Sequence, residues 1–431
     1  MKTIIVGSGG REHALGHKVL EADSDGEVTF LPGNGGTALI GSNVEIRAGD
    51  VDAVVDFCRG NPSDLVVVGP EDPLAGGISD ALAAEGIRAF GPTADCARLE
   101  SSKAFAKEFM ARHSVPTARF ELFNDSESAH AYVDRSRAQV VIKADGLARG
   151  KGAIVTRSKA EAHRAVTEVM EERIFGAAGD TVVIEERLRG EEVSILAITD
   201  GENYTLLPAS QDHKPVYDGD EGPNTGGMGA YCPAPLVDAA TLAEIEKTVV
   251  RRTLKGLQSD GLDYRGVVYA GLMINRDGIF VIEYNARFGD PETQAVLPAV
   301  DVDLGDILMR AADGGLKANS VIRPERWTVC VVLASGGYPG AYEKGRIITG
   351  LDLAARAEGV QLFHAGTALT AGGTLATSGG RVMGVTGCGH SLREAQRRAY
   401  EGCLRVEFDG KYMRSDIGDK GISRLEKMEV R

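Results

Sequence analysis

The run IEYNARFGDPE, from Ile282 to Glu292, sets Glu283, Asn285 and Arg287 two residues apart. Side chains alternate between faces along an extended strand, so all three share one face. Two neighbouring oxygen donors suit a hard cation such as Mg²⁺ or Mn²⁺, which completes its shell with phosphate oxygens and water. A guanidinium beside them can neutralise a carboxylate or a phosphoryl group in transfer. A surface strand laced with salt bridges is the alternative, and it would make little use of this register.

A second run, VVIKADGLARGKG, reads as a strand ending in Lys143 and a loop holding Gly146, Gly150, Lys151 and Gly152. It has one residue too few between its glycines for a Walker A loop, and no Ser or Thr follows the lysine. A flexible cover over phosphates is the functional reading; a solvated hairpin is the other. Lys103 lies upstream on an expected helix. Downstream, IEERLRGEE places Glu185, Glu186, Glu191 and Glu192 where a strand ends. A linker of that shape can offer backbone groups to an adenine edge and a carboxylate to ribose hydroxyls, with plain surface charge expected of at least two of the four.

The stretch from Ser210 to Tyr231 is glycine-rich, polar and too long for an ordinary turn, which suits a binding loop with Asp212, His213 and Lys214 as its chemical tips. VGSGGREH follows a strand directly, so amides at the next helix start can hold a phosphate, with Arg11 as counter-charge. Glu12 stands where the dinucleotide fingerprint needs glycine, and its carboxylate would repel a pyrophosphate. His13 and His17 are one helical turn apart, with no third metal ligand in view.

These segments need a scaffold of mixed class, α/β and α+β. Up to residue 100, β-branched runs (Thr3 to Val6, Val28 to Leu31, Asp64 to Val68) alternate with helical stretches, as in a parallel sheet covered by helices. Ser101 is the expected cap of a helix beginning near Lys103, opening a section that runs to 320. Within it, residues 117–190 form a small lid, with strands at Val140 to Lys143, Ala153 to Thr156 and Thr181 to Glu186 around a helix near 158–172. A β-rich third domain is expected over 325–431.

The 431 residues, 43% hydrophobic, exceed one ordinary core and predict about three domains. With 62 acidic against 48 basic side chains and no long basic run, a nucleic-acid footprint is absent. The six cysteines are scattered without a C-x-x-C pair, which points to buried free thiols. No apolar run is long enough for a membrane span and the start is too short for a secretory signal, so no membrane partner and a cytoplasmic place are expected.

Taken in order, VGSGGREHAL, LPGNGGT, VVVGPEDPL, LESSKAFAKEFM, VIKADGLARGKG, IEERLRGEE, SQDHK, GPNTGGMGAY and ARFGDPETQ resemble the hallmark segments of the glycinamide ribonucleotide synthetase (phosphoribosylamine glycine ligase) family, within the ATP-grasp superfamily. The resemblance runs nearly end to end. It implies a Rossmann-like N-terminal domain, ATP-grasp subdomains that clamp ATP, and a C-terminal domain beside the site. By resemblance, Lys103 and Lys143 would reach the ATP phosphates, Glu185 and Leu188 the adenine, Glu191 the ribose, and Glu283 with Asn285 the metal. The implied activity is ATP-dependent ligation of glycine to 5-phosphoribosylamine through a glycyl phosphate, by a monomer or weak oligomer. Arg287, Lys143 and Asp212 are the catalytic candidates; Gly9, Gly10, Arg11, Glu71, Asp212, Lys214 and Arg287 are the substrate candidates. Rival readings are a purine-pathway ATP-grasp enzyme activating formate or bicarbonate, and a nicotinamide-dependent dehydrogenase, which Glu12 opposes.

Overall fold

A computed structural model describes residues 1–147 and 152–429. The apolar strand Lys2–Gly7 runs through Ser8 and Gly9 into the helix Gly10–Ala22. It pairs in parallel with Glu27–Pro32 on one side and Leu65–Val68 on the other, within a five-stranded sheet completed by Ser42–Asn43 and Ala89–Phe90. Every residue of Leu65–Val68 is buried, as expected for a parallel strand covered on both faces. The helices that follow the carboxyl ends of Lys2–Gly7 and Leu65–Val68 present Arg11 and Glu71 in their first turns, at the usual edge for ligands in such sheets.

Ser102, one residue later than expected, caps the helix Lys103–Arg112 by accepting the Phe105 N–H. Beyond it stands a four-stranded antiparallel sheet in the order Phe120–Phe123, Val182–Glu186, Val140–Ala144, Ala153–Val155. Helices Ser126–Arg135 and Lys159–Val166 cover it, the latter continuing as a π turn over Thr167–Glu171. Val133, Ile142, Ala165 and Val182 belong to its separate core. This small body has a hydrophobic core of its own.

The large central sheet runs Gly278–Asn285, Gly266–Asn275, Glu191–Thr199, Tyr204–Leu206, Ser320–Val321. Val66 and Val68 of the first sheet share a core with Val193, Ala270 and Tyr284 of this one, which fixes the two sheets relative to each other.

The third sheet departs from the sequence reading. Its order is Gln211–Asp212, Gly229–Cys232, Trp327–Ser335, Arg381–Gly389, Val360–His364. The stretch 210–231 is therefore not an irregular loop: it supplies two strands to the C-terminal sheet and folds a hairpin, Pro215–Tyr217 with Glu221–Asn224, between them. Residues on both sides of 320 share this sheet. Strands of two to four residues separated by glycines carry too little periodicity to be seen in the sequence.

Candidate active site

A cleft of about 510 Å³ opens where the four sheets approach one another, and Arg287 is part of its lining. The strand Gly278–Asn285 brings Glu283 and Asn285 into the lining, and Arg287 follows two residues past its end. Arg287 is gripped from two directions. Its Nε donates to Glu71 Oε2 at 3.2 Å, and a terminal nitrogen lies 3.0 Å from Glu100 Oε1. Glu100 also accepts the Ala286 N–H at 2.7 Å, which pins the chain just past the strand.

The two carboxylates respond in opposite ways. Burial pushes Glu71 up, but Arg287 and Arg11 outweigh it and hold it down at about 2. Burial dominates at Glu100 and raises it to about 7 despite Arg287. One group is thus a fixed anion and the other sits near its titration point at neutral pH.

A cluster of lysines faces this wall. Lys143 Nζ lies 2.5 Å from Glu185 Oε1 and donates to the Ile282 carbonyl at 2.9 Å. Lys107, one helical turn beyond Lys103, pairs with the other oxygen of Glu185. Burial lowers Lys107 to about 8, with Glu185 opposing. Lys103 donates to the Gly146 carbonyl at 2.8 Å, tying the helix Lys103–Arg112 to the edge of the four-stranded body. The Glu185 carboxylate is therefore held by two lysines.

On the opposite side, Lys214 Nζ lies 2.9 Å from Glu192 and 3.5 Å from Asp212. Burial raises Asp212 well above the usual carboxylate range, with Lys214 opposing. Behind them Tyr269 donates to Glu292 Oε1 at 2.8 Å. Arg381, from the C-terminal sheet, donates to the carbonyls of Gly226 and Asp290, both at 2.7 Å. Next to this cleft, a second one of about 980 Å³ is lined by Ile154, Glu191, Glu192 and Lys420, and shares Ala153, Asp212 and Lys214 with the first.

Several expected residues sit differently from their assigned parts. The Gly9 N–H donates to Glu12 Oε2 at 2.5 Å, and Arg11 Nε donates to Glu12 Oε1 at 2.6 Å. The glycine turn is thus closed by its own carboxylate, and that amide is not free for a phosphate. A Cβ at Gly10 would meet Gln294 Nε2 at 2.5 Å, so this glycine serves close packing. Arg11 remains in the cleft wall, donating to the Phe288 carbonyl. His213 is buried, not a tip; burial pushes its imidazole well down. His13 accepts the His364 N–H, a packing role. Glu191 pairs with Arg424 of the last helix, and Leu188 is half-buried in the link between Val182–Glu186 and Glu191–Thr199. Gly150 and Lys151 lie outside the described residues, whereas Gly146 and Gly152 line the cleft.

Glu100, Lys107, Tyr269, Glu292 and Arg381 were not singled out in the sequence. Two of them left a signal: Lys107 repeats Lys103 at helical spacing, and Glu292 closes the run that opens at Ile282. Arg381 left none, because it arrives from a distant strand.

Residues 1–100, 101–293 and 328–420 match, in turn, the N domain, the ATP-grasp (A) domain and the C domain described as phosphoribosylglycinamide synthetase. The chain belongs to the phosphoribosylglycinamide synthetase family. Among relatives of this synthetase family, a phosphoribosylamine–glycine ligase of Chlorobaculum tepidum is 48% identical over 98% of this chain and all of that protein. The trifunctional purine biosynthetic protein adenosine-3 of Homo sapiens is 47% identical over 99% of this chain, which spans 42% of the human protein. A crystal structure of phosphoribosylamine–glycine ligase from Thermotoga maritima superposes with a TM-score of 0.85 at 36% identity, over 97% of this chain and all of that one. The biotin carboxylase domain of a Hydrogenobacter thermophilus carboxylase, 16% identical with a TM-score of 0.72 over 96% of this chain and 91% of that one, shares the fold. The chain is an ATP-dependent ligase of purine biosynthesis.

Proposed function

We propose that the chain joins glycine to 5-phosphoribosylamine, forming glycinamide ribonucleotide, ADP and phosphate. The observation that carries this reading is the convergence of Lys103, Lys143, Glu283, Asn285 and Arg287 on one cleft between lid and body. A carboxylate does not acylate an amine in water. Transfer of the ATP γ-phosphoryl group to a glycine oxygen, with ADP leaving, gives an acyl phosphate; attack of the sugar's amine on its carbonyl carbon then releases phosphate. No protein nucleophile is needed, and the task is positioning and charge neutralisation.

Lys143 suits the phosphoryl group because Glu185 and the Ile282 carbonyl orient its ammonium. Arg287, held by Glu71 and Glu100, suits the glycine carboxylate and the charge that develops as the bond forms. Asp212 and Lys214 line the same cleft and are proposed for substrate contacts, with Arg11 near the sugar phosphate. Glu191 is proposed for the ribose and the link through Leu188 for the adenine. Glu283 and Asn285 fit a metal that keeps several non-protein ligands. They are two oxygen donors side by side, and among the described residues no cluster of three or more His, Cys, Asp or Glu side chains could hold a metal ion. Bound there, Mg²⁺ or Mn²⁺ would neutralise phosphate charge. The lid, carrying Gly146 and Gly152 at its edge, would shield the acyl phosphate from water.

The test is ADP release with Mg-ATP and glycine, with and without phosphoribosylamine formed in situ from ribose 5-phosphate and ammonia. Release that requires both substrates supports the reading. Release with formate or bicarbonate in place of glycine would overturn it.

A further inference from the structure

The last helix, Asp419–Glu429, has two distinct faces. Ile422 and Leu425 pack into the core of the C-terminal sheet. A Cβ at Gly421 would meet Leu392 at 2.6 Å and Tyr231 at 2.7 Å, so glycine lets the helix seat closely there. Lys420 and Arg424 are four residues apart and share the remaining face. Lys420 pairs with Asp220 and lines the second cleft, the one of about 980 Å³. Arg424 Nη2 donates to Oε1 of Glu191, which lines that cleft as well. The C-terminal part of the chain thus brings two cations to the side of the site where Glu191 stands.

Glu191 opens the strand Glu191–Thr199, and its side chain is 46% exposed. A glutamate this open to water is spread over several rotamers unless something holds it. Two constraints do so. Gln211 Nε2 donates to the Glu192 carbonyl at 2.8 Å, and Tyr231, the ring beneath Gly421, donates to Gln211 in turn. That chain fixes the backbone, while Arg424 fixes the carboxylate. The guanidinium engages Oε1 alone, and among the described residues Oε2 has no side-chain partner. A carboxylate has about four lone-pair sites, so it can hold a guanidinium N–H and still accept from hydroxyls.

We propose that Arg424 is a positioning residue for nucleotide recognition: it holds the Glu191 carboxylate oriented for the ribose hydroxyls, so the last helix sets the preference for ATP over nucleotides lacking them. This rests on Glu191 as the ribose ligand. An acceptor oriented in advance lowers the ordering cost of binding. The guanidinium also offsets the charge that Glu191 presents to a polyanionic ligand. A partly exposed ion pair adds little to stability, so the loss of Arg424 should leave the fold in place.

The test measures kcat and KM for ATP and for 2′,3′-dideoxy-ATP in the full chain, with saturating glycine and phosphoribosylamine formed in situ. A hydrogen bond to a charged acceptor is worth about 10-fold or more, so the parent should favour ATP by at least about 10-fold in kcat/KM. Arg424→Gln should raise KM for ATP with a smaller change in kcat, and should cut the preference to about 3-fold. Arg424→Lys keeps the charge without the planar fork and should fall between the two. A helix merely loosened by the substitution would weaken both nucleotides alike and leave their ratio intact. An intact ratio in Arg424→Gln therefore overturns the proposal, as does a lower KM for ATP, which would make Arg424 a competitor of the ribose. Either result leaves Glu191 as the ribose ligand. A parent that uses both nucleotides equally well would instead remove Glu191 from the ribose, and the role of Arg424 with it.

Discussion

Replacing Glu185 by Gln keeps the volume of the side chain and removes its charge. Glu185, Lys107 and Lys143 are each no more than about 5% exposed, so the change strands two ammonium groups away from water. Breaking a buried pair from one side costs about 3–5 kcal/mol. Lys107 can relieve part of this by losing its proton. In the parent it titrates at about 8 when folded against an ordinary 10.5, so the unfolded chain binds more protons between those values. Stability therefore rises over that window, by about 3 kcal/mol from this group. Without Glu185 the folded value drops further, so the variant begins to recover at lower pH than the parent. The deficit should shrink as pH approaches 8 and stay constant above it. Native-state hydrogen exchange at the strands Val140–Ala144 and Val182–Glu186 measures this locally, which avoids treating a multidomain chain as two-state. Adding Lys107→Met should restore part of the loss, because it removes one of the two stranded charges. A deficit under about 1 kcal/mol, or one indifferent to pH, would refute the reasoning.

Glu283→Ala should abolish most turnover while leaving the circular dichroism spectrum unchanged; ordinary kinetics at saturating Mg²⁺ would remove Glu283 from the metal site. Arg11→Lys should raise KM for phosphoribosylamine far more than KM for ATP, and equal changes would count against a sugar-phosphate contact. Glu100 is raised from 4.5 to about 7, so the folded chain binds more protons across that interval and loses stability as pH climbs through it. Glu100→Gln should flatten that part of a urea-midpoint profile, and an unchanged slope would show that another group is responsible.

What the sequence disclosed follows from the range of the interactions involved. The strand, glycine turn and helix from Lys2 to Ala22 are local, and their pattern is enough. Likewise, alternation alone sends Glu283 and Asn285 to one wall. Glu12 was read as a repulsive charge, yet the structure uses it as a plug that satisfies the Gly9 amide and Arg11. Nothing local distinguishes a carboxylate that turns inward from one that faces solvent. Lys107 and Glu100 were passed over because a charged residue on a helix is ordinarily solvated, and their partners, Glu185 and Arg287, lie far along the chain. The β-rich C-terminal part was legible, but the strands that join it from 211–232 were not, for the same reason, since the register pairs Gly229–Cys232 with Trp327–Ser335.

That register also has a temporal side. A ribosome releases the chain from its N-terminus, and segments fold as their partners emerge. Asp212 pairs with Ala230, and Ala230 pairs with Cys330. Lys103, Lys143, Glu283 and Arg287 can all take their places on a growing chain that has not yet produced residue 330. The wall bearing Asp212 and Lys214 cannot settle until it has. The cleft is thus completed in two stages on a growing chain, with the wall bearing Asp212 and Lys214 the last to form.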